Sequence, residues 1–218
     1  MYTTDIPLSP VSPSATHLST YPAAALILSA AHARQFPADT GVEVAFAGRS
    51  NSGKSSAINA ITGKRGLART SKTPGRTRLL NFFQLAAGCR IVDLPGYGYA
   101  EASAAERATW APMTTALAQR ASLRGLFLMI DSRRGVLEGD DGLIAWAESA
   151  GCAVHVLFTK VDKMRRAELA TAMALARRTL GTRATLQAFS ASDGTGIEEA
   201  RRQLHRWFQA PVAVGAAP

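Results

Sequence analysis

Short apolar runs bounded by turn residues recur along the chain, at VEVAFA (42–47), LLNFFQL (79–85), CRIVDL (89–94), RGLFLMID (124–131), CAVHVLFT (152–159) and ATLQAFSA (184–191). Their length and their Val, Ile and Phe content read as strands. Between most of them lie Ala-, Glu- and Arg-rich stretches with apolar residues at helical spacing, over 53–62, about 101–120, 138–149, 164–180 and 196–209. Strands separated by helices predict crossover units, and therefore a mainly parallel sheet covered on both faces. One connection is too short for a crossover: AAG (86–88) joins LLNFFQL to CRIVDL, so one edge strand is expected to be antiparallel. The pattern thus predicts an α/β fold on a six-stranded sheet. Residues 1–14 (MYTTDIPLSPVSPS) are rich in Pro, Ser and Thr without a packing pattern, and the closing PVAVGAAP is similarly loose. A single domain over 15–209 is expected, between tails at 1–14 and 210–218.

Composition agrees with that picture. At 218 residues, with 47% hydrophobic and 19% charged residues, the chain is long enough for one well-buried globular domain. The net charge of +9 changes the picture because it is uneven. Between Glu43 and Asp93 no acidic residue occurs, while Arg49, Lys54, Lys64, Arg65, Arg69, Lys72, Arg76, Arg78 and Arg90 all fall there. A one-signed field in one segment favours a polyanionic partner, RNA first among them; a merely solvated basic face is the alternative. Cys89 and Cys152 sit in apolar runs without metal-ligand neighbours and read as buried thiols in a reducing compartment. The stretch AAALILSAAHA (23–33) imitates a signal-peptide core, but Asp5 and no cation precedes it, and it is too short to span a bilayer. A cytoplasmic protein with no membrane span is expected.

Chemistry enters at four strand ends. Gly48-Arg49-Ser50-Asn51-Ser52-Gly53-Lys54-Ser55 fits G-x-x-x-x-G-K-[ST], with a strand before it and a helix after it. Glycines let successive N–H groups turn inward on a β-phosphate, the helix N-terminus adds its dipole, and Lys54 can span the β- and γ-phosphates. Ser55 can offer its hydroxyl to Mg2+. Asp93-Leu94-Pro95-Gly96 closes the next parallel strand. Its carboxylate can hold the magnesium through a water, and the N–H of Gly96 can reach a γ-phosphate. Thr159-Lys160-Val161-Asp162 closes another strand, where Asp162 can accept from N1–H and the exocyclic amine of guanine while the Lys160 stem covers the ring. Phe189-Ser190-Ala191 follows the final strand, where a backbone N–H can meet guanine O6. The base set favours GTP over ATP, so a P-loop kinase or ATPase is disfavoured.

These pieces, in this order, resemble the translation-factor class of P-loop GTPases. More closely, GVEVAFAGRSNSGKSS (41–56), SKTPGRTRLLNFF (71–83), VDLPGYGYA (92–100) and TKVDK (159–163) resemble the EngB (YihA/YsxC) family of bacterial ribosome-assembly GTPases, over roughly Ala15 to Phe208. The resemblance implies a Ras-like P-loop GTPase domain that hydrolyses GTP to GDP. It implies that the segment Gly75-Arg76-Thr77-Arg78 closes over the nucleotide and that Thr77 joins Ser55 and Asp93 at Mg2+, with Thr73 as the rival ligand by spacing. Lys54, Thr77, Gly96 and Asn51 are then the catalytic candidates. Asn51 resembles the asparagine that binds K+ in related GTPases; bracing the loop is its other reading. Tyr97 stands where many GTPases carry the glutamine that orients water, so slow intrinsic hydrolysis is expected.

The implied role is a switch in large-subunit assembly, monomeric off the ribosome, docking on ribosomal RNA or its precursor. The basic segment 64–78 and the helix residues Arg201, Arg202, His205 and Arg206 are the candidate contacts, and an effect on cell division follows by the same resemblance. The alternative is a septin-like structural GTP-binding protein at the division septum.

Overall fold

The computed structural model describes residues 20–69, 79–97 and 104–210. The tail expected at 1–14 lies outside them, as do residues 211–218 of the other. Seven strands form one sheet: β1 (Ala25–Ala30), β2 (Val42–Gly48), β3 (Leu80–Ala86), β4 (Cys89–Asp93), β5 (Leu123–Asp131), β6 (Ala153–Thr159) and β7 (Thr185–Ala188). Among the described residues five α-helices surround it: α1 (Lys54–Thr62), α2 (Ala104–Ala118), α3 (Glu138–Ser149), α4 (Arg166–Leu180) and α5 (Ile197–Gln209). The strand order is β1-β3-β4-β2-β5-β6-β7.

The sheet has one strand more than the six that the apolar pattern predicts. The addition is β1, drawn from the stretch that imitates a signal-peptide core. It pairs antiparallel with β3 and takes the sheet edge, where Leu26 and Ile27 are 52% and 46% exposed. A bulge between Leu26 and Leu28 breaks its alternation, so it shows no two-residue period. The hairpin of β3 and β4 forms as expected, but β3 runs against both neighbours and β1, not β3, is outermost.

Every residue of β2 is buried, as a central parallel strand covered on two faces must be. On one face α1 and α5 pack Ile58, Ile61, Leu204 and Trp207 against Phe46, Phe127 and Leu157. On the other, α2, α3 and α4 bring Met113, Leu117, Leu143, Ile144 and Leu180 against Leu126, Leu128 and Phe158. The chain leaves β2 toward β4 on one side and returns to β5 on the other, so the carboxyl ends of β2, β4 and β5 open a crevice. At the opposite end Glu43, fully buried, accepts from Arg90 Nε at 2.9 Å and Arg120 Nε at 2.6 Å. Both guanidiniums also hold the carbonyl of Ala38, which ties the 37–40 loop beneath the sheet. Among the described residues no helix is long and apolar enough to cross a membrane.

Candidate functional site

The loop Gly48–Ser55 joins β2 to α1 above the carboxyl edge of the sheet. Gly53 has φ 94° and Asn51 φ 65°, left-handed turns that wind the chain tightly before the helix begins. Two side chains, from the last residue of β6 and the one after it, grip the outer side of this loop. Thr159, buried, donates its hydroxyl to the Ser52 carbonyl at 2.6 Å, with the Ile130 carbonyl 3.1 Å away. The Lys160 ammonium donates to the Asn51 carbonyl and, at 3.0 Å, to Asp131 Oδ2. Because a trans peptide points its C=O and N–H in opposite directions, tying the Ser52 carbonyl to Thr159 turns the Gly53 N–H the other way, to the inner side of the loop. The guanine-side motif and the phosphate-side motif are thus one hydrogen-bonded unit.

Across the crevice Lys54 Nζ meets Asp93 Oδ1, with side chains only 12% and 9% exposed. Strand pairing makes this meeting: Asp93 ends β4 in register with Phe46 of β2, and the Leu94 N–H donates to the Phe46 carbonyl at 2.9 Å. The chain after Asp93 then lies against the loop. Ser50 N–H donates to the Tyr97 carbonyl at 3.0 Å and Tyr97 N–H to the Gly48 carbonyl at 3.3 Å. Gly96 sits so close to Ser50 that a Cβ there would lie 3.0 Å from Ser50 Oγ and 3.3 Å from Ser50 N. Among the described residues Ser55 Oγ makes only a 3.5 Å contact, as donor, with the Arg69 carbonyl, which leaves its lone pairs available.

A serine hydroxyl and one strand-end carboxylate are the hard oxygen donors that suit Mg2+, which takes few protein ligands when phosphates supply the others. No cluster of three His, Cys, Asp or Glu side chains able to hold a metal ion occurs among the described residues. The donor set therefore fits magnesium bound with a nucleotide and does not fit an all-protein metal cage.

On the base side Asp162 follows β6. Its Oδ1 accepts from Ser190 Oγ at 2.8 Å and its Oδ2 lies 3.0 Å from Lys163 Nζ. The serine bond first, and the lysine after it, hold this carboxyl below its ordinary range. Ser190 donates its own N–H to the Thr195 carbonyl at 2.9 Å. The Phe189 N–H donates to the Phe158 carbonyl at 3.0 Å, so of the three residues offered for guanine O6 the one whose N–H has no partner among the described residues is Ala191. Leu94, Val161 and Phe189 turn buried side chains into the core, so each offers a ligand its backbone alone.

Two acidic residues at the site carry no motif. Asp131 ends β5 and is held well below the usual carboxylate range by Arg133 and then by Lys160. Its place at the end of the run RGLFLMID is the signal that could have found it. Asp140, 1% exposed in the first turn of α3, accepts from the Tyr97 phenol and, at 2.8 Å, from the Leu137 N–H. Burial raises the pKa of both Asp140 and Tyr97. Of the basic residues considered for RNA, Arg201 and Lys64 are tied to backbone carbonyls, and Arg206, though exposed, donates to Gln203 Oε1 at 3.2 Å. Arg201 donates to the carbonyls of Ile61 and Ala60 at 2.8 and 2.9 Å, capping α1, and Lys64 donates to those of Pro22 and Ala24. Arg65, Arg69, Arg202 and Arg206 are exposed. Lys72, Thr73, Gly75, Arg76, Thr77 and Arg78 lie outside the described residues.

With this geometry in hand, comparison with known proteins is specific. The family of 50S ribosome-binding GTPases matches residues 43–160. A protein of Coxiella burnetii (strain RSA 493 / Nine Mile phase I) called "Probable GTP-binding protein EngB" is 44% identical over 197 residues, 87% of this chain and 94% of that one. Its namesake in Francisella philomiragia is 45% identical over 195 residues, 87% and 99% of the two chains. A crystal structure bearing the same name superposes with a TM-score of 0.59 at 22% identity, over 78% of this chain and 100% of that chain. Era in complex with MgGDPNP and nucleotides 1506–1542 of 16S ribosomal RNA does so with 0.57 at 19% identity, over 82% and 60%.

Proposed function

Since the chain belongs to the EngB family, and so is a GTP-binding protein that hydrolyses GTP, we propose that it acts as a molecular switch in the assembly of the large ribosomal subunit. The observation that carries this reading is the contact of the Lys54 ammonium with the Asp93 carboxylate, beside a loop whose outer carbonyls are held by Thr159 and Lys160. In it, Lys54, the inward Gly53 N–H and the N–H groups that open α1 at 54–55 receive the β- and γ-phosphates, while Asp162 and the Ala191 N–H read guanine. Ser55, Asp93 and, from the segment 75–78, Thr77 would hold Mg2+, which neutralises phosphate charge when bound. The Gly96 N–H, held close to Ser50 of the loop, would meet the γ-phosphate. The 92–97 turn then senses the third phosphate.

Hydrolysis is slow on this reading until a partner assists. The Tyr97 phenol is engaged by Asp140 and orients no attacking water. We assign the assistance to the ribosome and to a K+ ion at Asn51, whose exposed side chain stands at the loop mouth. Exchanging NaCl for KCl should accelerate turnover, and equal rates would remove that assignment. The family's description as 50S ribosome-binding and the exposed cations Arg65, Arg69, Arg202 and Arg206 support a large-subunit RNA partner, met in the cytoplasm by a monomer. A defect in cell division would follow from failed assembly. The deciding experiment is co-sedimentation with 50S particles in a non-hydrolysable GTP analogue and in GDP. Binding in the analogue and release in GDP are expected; binding indifferent to the nucleotide would defeat the switch.

A further inference from the structure

The base-reading turn, Ser190–Thr195, is closed mostly on itself. Besides the Ser190 N–H, the Gly194 N–H donates to the Ser190 carbonyl at 3.1 Å, and the Thr195 N–H to Asp193 Oδ1 at 2.9 Å. A turn closed in this way holds its shape but not its place above the sheet. Its outgoing post is Gly196, the residue before α5, at φ 74°. A Cβ at this position would fall 2.2 Å from the Ala188 carbonyl oxygen and 2.6 Å from Gln187 Nε2, so the chain presses closely on the end of β7. Gln187, 3% exposed, donates Nε2 to the Gly196 carbonyl at 2.8 Å.

The other end of that amide is also taken. Gln187 Oε1 lies 2.8 Å from Nε2 of His155, and His155 Nδ1 lies 2.6 Å from Thr185 Oγ1. The roles follow in one direction. An amide that turns its NH2 to the Gly196 carbonyl presents its oxygen, an acceptor only, to His155, so His155 must carry its proton on Nε2. Nδ1 is then a lone pair, and the Thr185 hydroxyl donates to it. His155 is 6% exposed, edge-on to the Phe127 ring at 5.6 Å, and burial first of all keeps it neutral. A continuous polar chain thus runs from Thr185 through His155 and Gln187 to Gly196, and from that post through the turn to Ser190 and Asp162.

We propose that Gln187, oriented by His155, is a positioning residue for guanine recognition: it pins the far post of the turn that carries the Ala191 N–H and the Ser190 partner of Asp162. This rests on the reading that Asp162 and Ala191 contact the base. The test is the preference of the full chain for GDP over ADP, measured by competition against a fluorescent guanine nucleotide. Inorganic pyrophosphate serves as a competitor that meets only the phosphate loop. Gln187→Met keeps the side chain's length and removes its bonds to Gly196 and His155, along with a longer one to the Ala188 carbonyl at 3.3 Å. It should lower the GDP preference about tenfold, the worth of roughly one to two hydrogen bonds, with pyrophosphate competition unchanged. Thr185→Val, at the exposed end of the chain, should lower it less, in the same direction, and decides the matter on the same readout should Gln187→Met fail to fold. Asp162→Asn is run beside them. If Asp162→Asn shifts the preference and the Gln187 or Thr185 variant does not, the positioning role is overturned. If Asp162→Asn itself shifts nothing, the reading of the base site fails, and the inference with it.

Discussion

At the scale of single residues, the site is built from side chains that hold other groups in place. Thr159 and Lys160 lie in a motif read for base recognition, yet in the structure both bind the phosphate loop. Tyr97 shows the same division. Its backbone zips to Gly48 and Ser50, while its phenol reaches away to a buried carboxylate on α3. Removing the hydroxyl leaves Asp140 buried with one donor fewer, and a buried acceptor that loses a partner costs about 1–3 kcal/mol. Tyr97→Phe is therefore expected to lower the melting temperature by roughly 3–8 °C for a chain of this size. An unchanged melt would mean that the phenol and Asp140 do not hold each other in solution.

At the scale of elements, the sheet shows what a pattern of apolar residues can and cannot carry. The six runs read from the sequence fall at β2 to β7, and the central ones, β2, β5 and β6, are almost continuously apolar because they are buried on two faces. The phosphate loop, the DLPG turn and TKVD were legible because each needs particular residue types at fixed spacing. β1 was not legible as a strand. Half-exposed and bulged, it has neither the run of a central strand nor the alternation of a one-faced one. Asp140, His155 and Gln187 were missed for another reason. Each acts through a neighbour brought near by strand register or helix packing, and spacing along the chain says nothing of that. Glu43 is the plainest case: an acidic residue inside VEVAFA looks like an interruption, whereas Arg90 from β4 and Arg120 beyond α2 close on it. Glu43→Gln strips the charge from between two largely buried guanidiniums, which predicts a loss of about 3–5 kcal/mol. Urea unfolding should show it as a lower midpoint at constant slope, and an unchanged midpoint would refute it.

For the molecule as a whole, one buried group ties stability to pH. An unfolded histidine takes up its proton near pH 6.5, whereas burial holds His155 in the fold below that value. In the window beneath 6.5 the unfolded chain binds more protons than the folded one, so stability falls as the solution is acidified. The fall ends once the folded imidazole is protonated as well. Denaturation midpoints at about pH 7.5 and pH 5.5 should differ in that sense, and His155→Gln should shrink the difference; an undiminished difference would assign the effect elsewhere.

The grip of Lys54 on Asp93 has a consequence for traffic through the crevice. Each of these groups is the other's counter-ion, so neither can turn to a newcomer without deserting its companion. On the proposed reading, an arriving phosphate would claim the ammonium and orphan a carboxylate, which a divalent cation would relieve; a cation arriving first would orphan the ammonium and invite the phosphate. Nucleotide and magnesium would then recruit one another, by thermodynamic reciprocity to an equal degree, so that sequestering the metal is expected to hasten the nucleotide's departure.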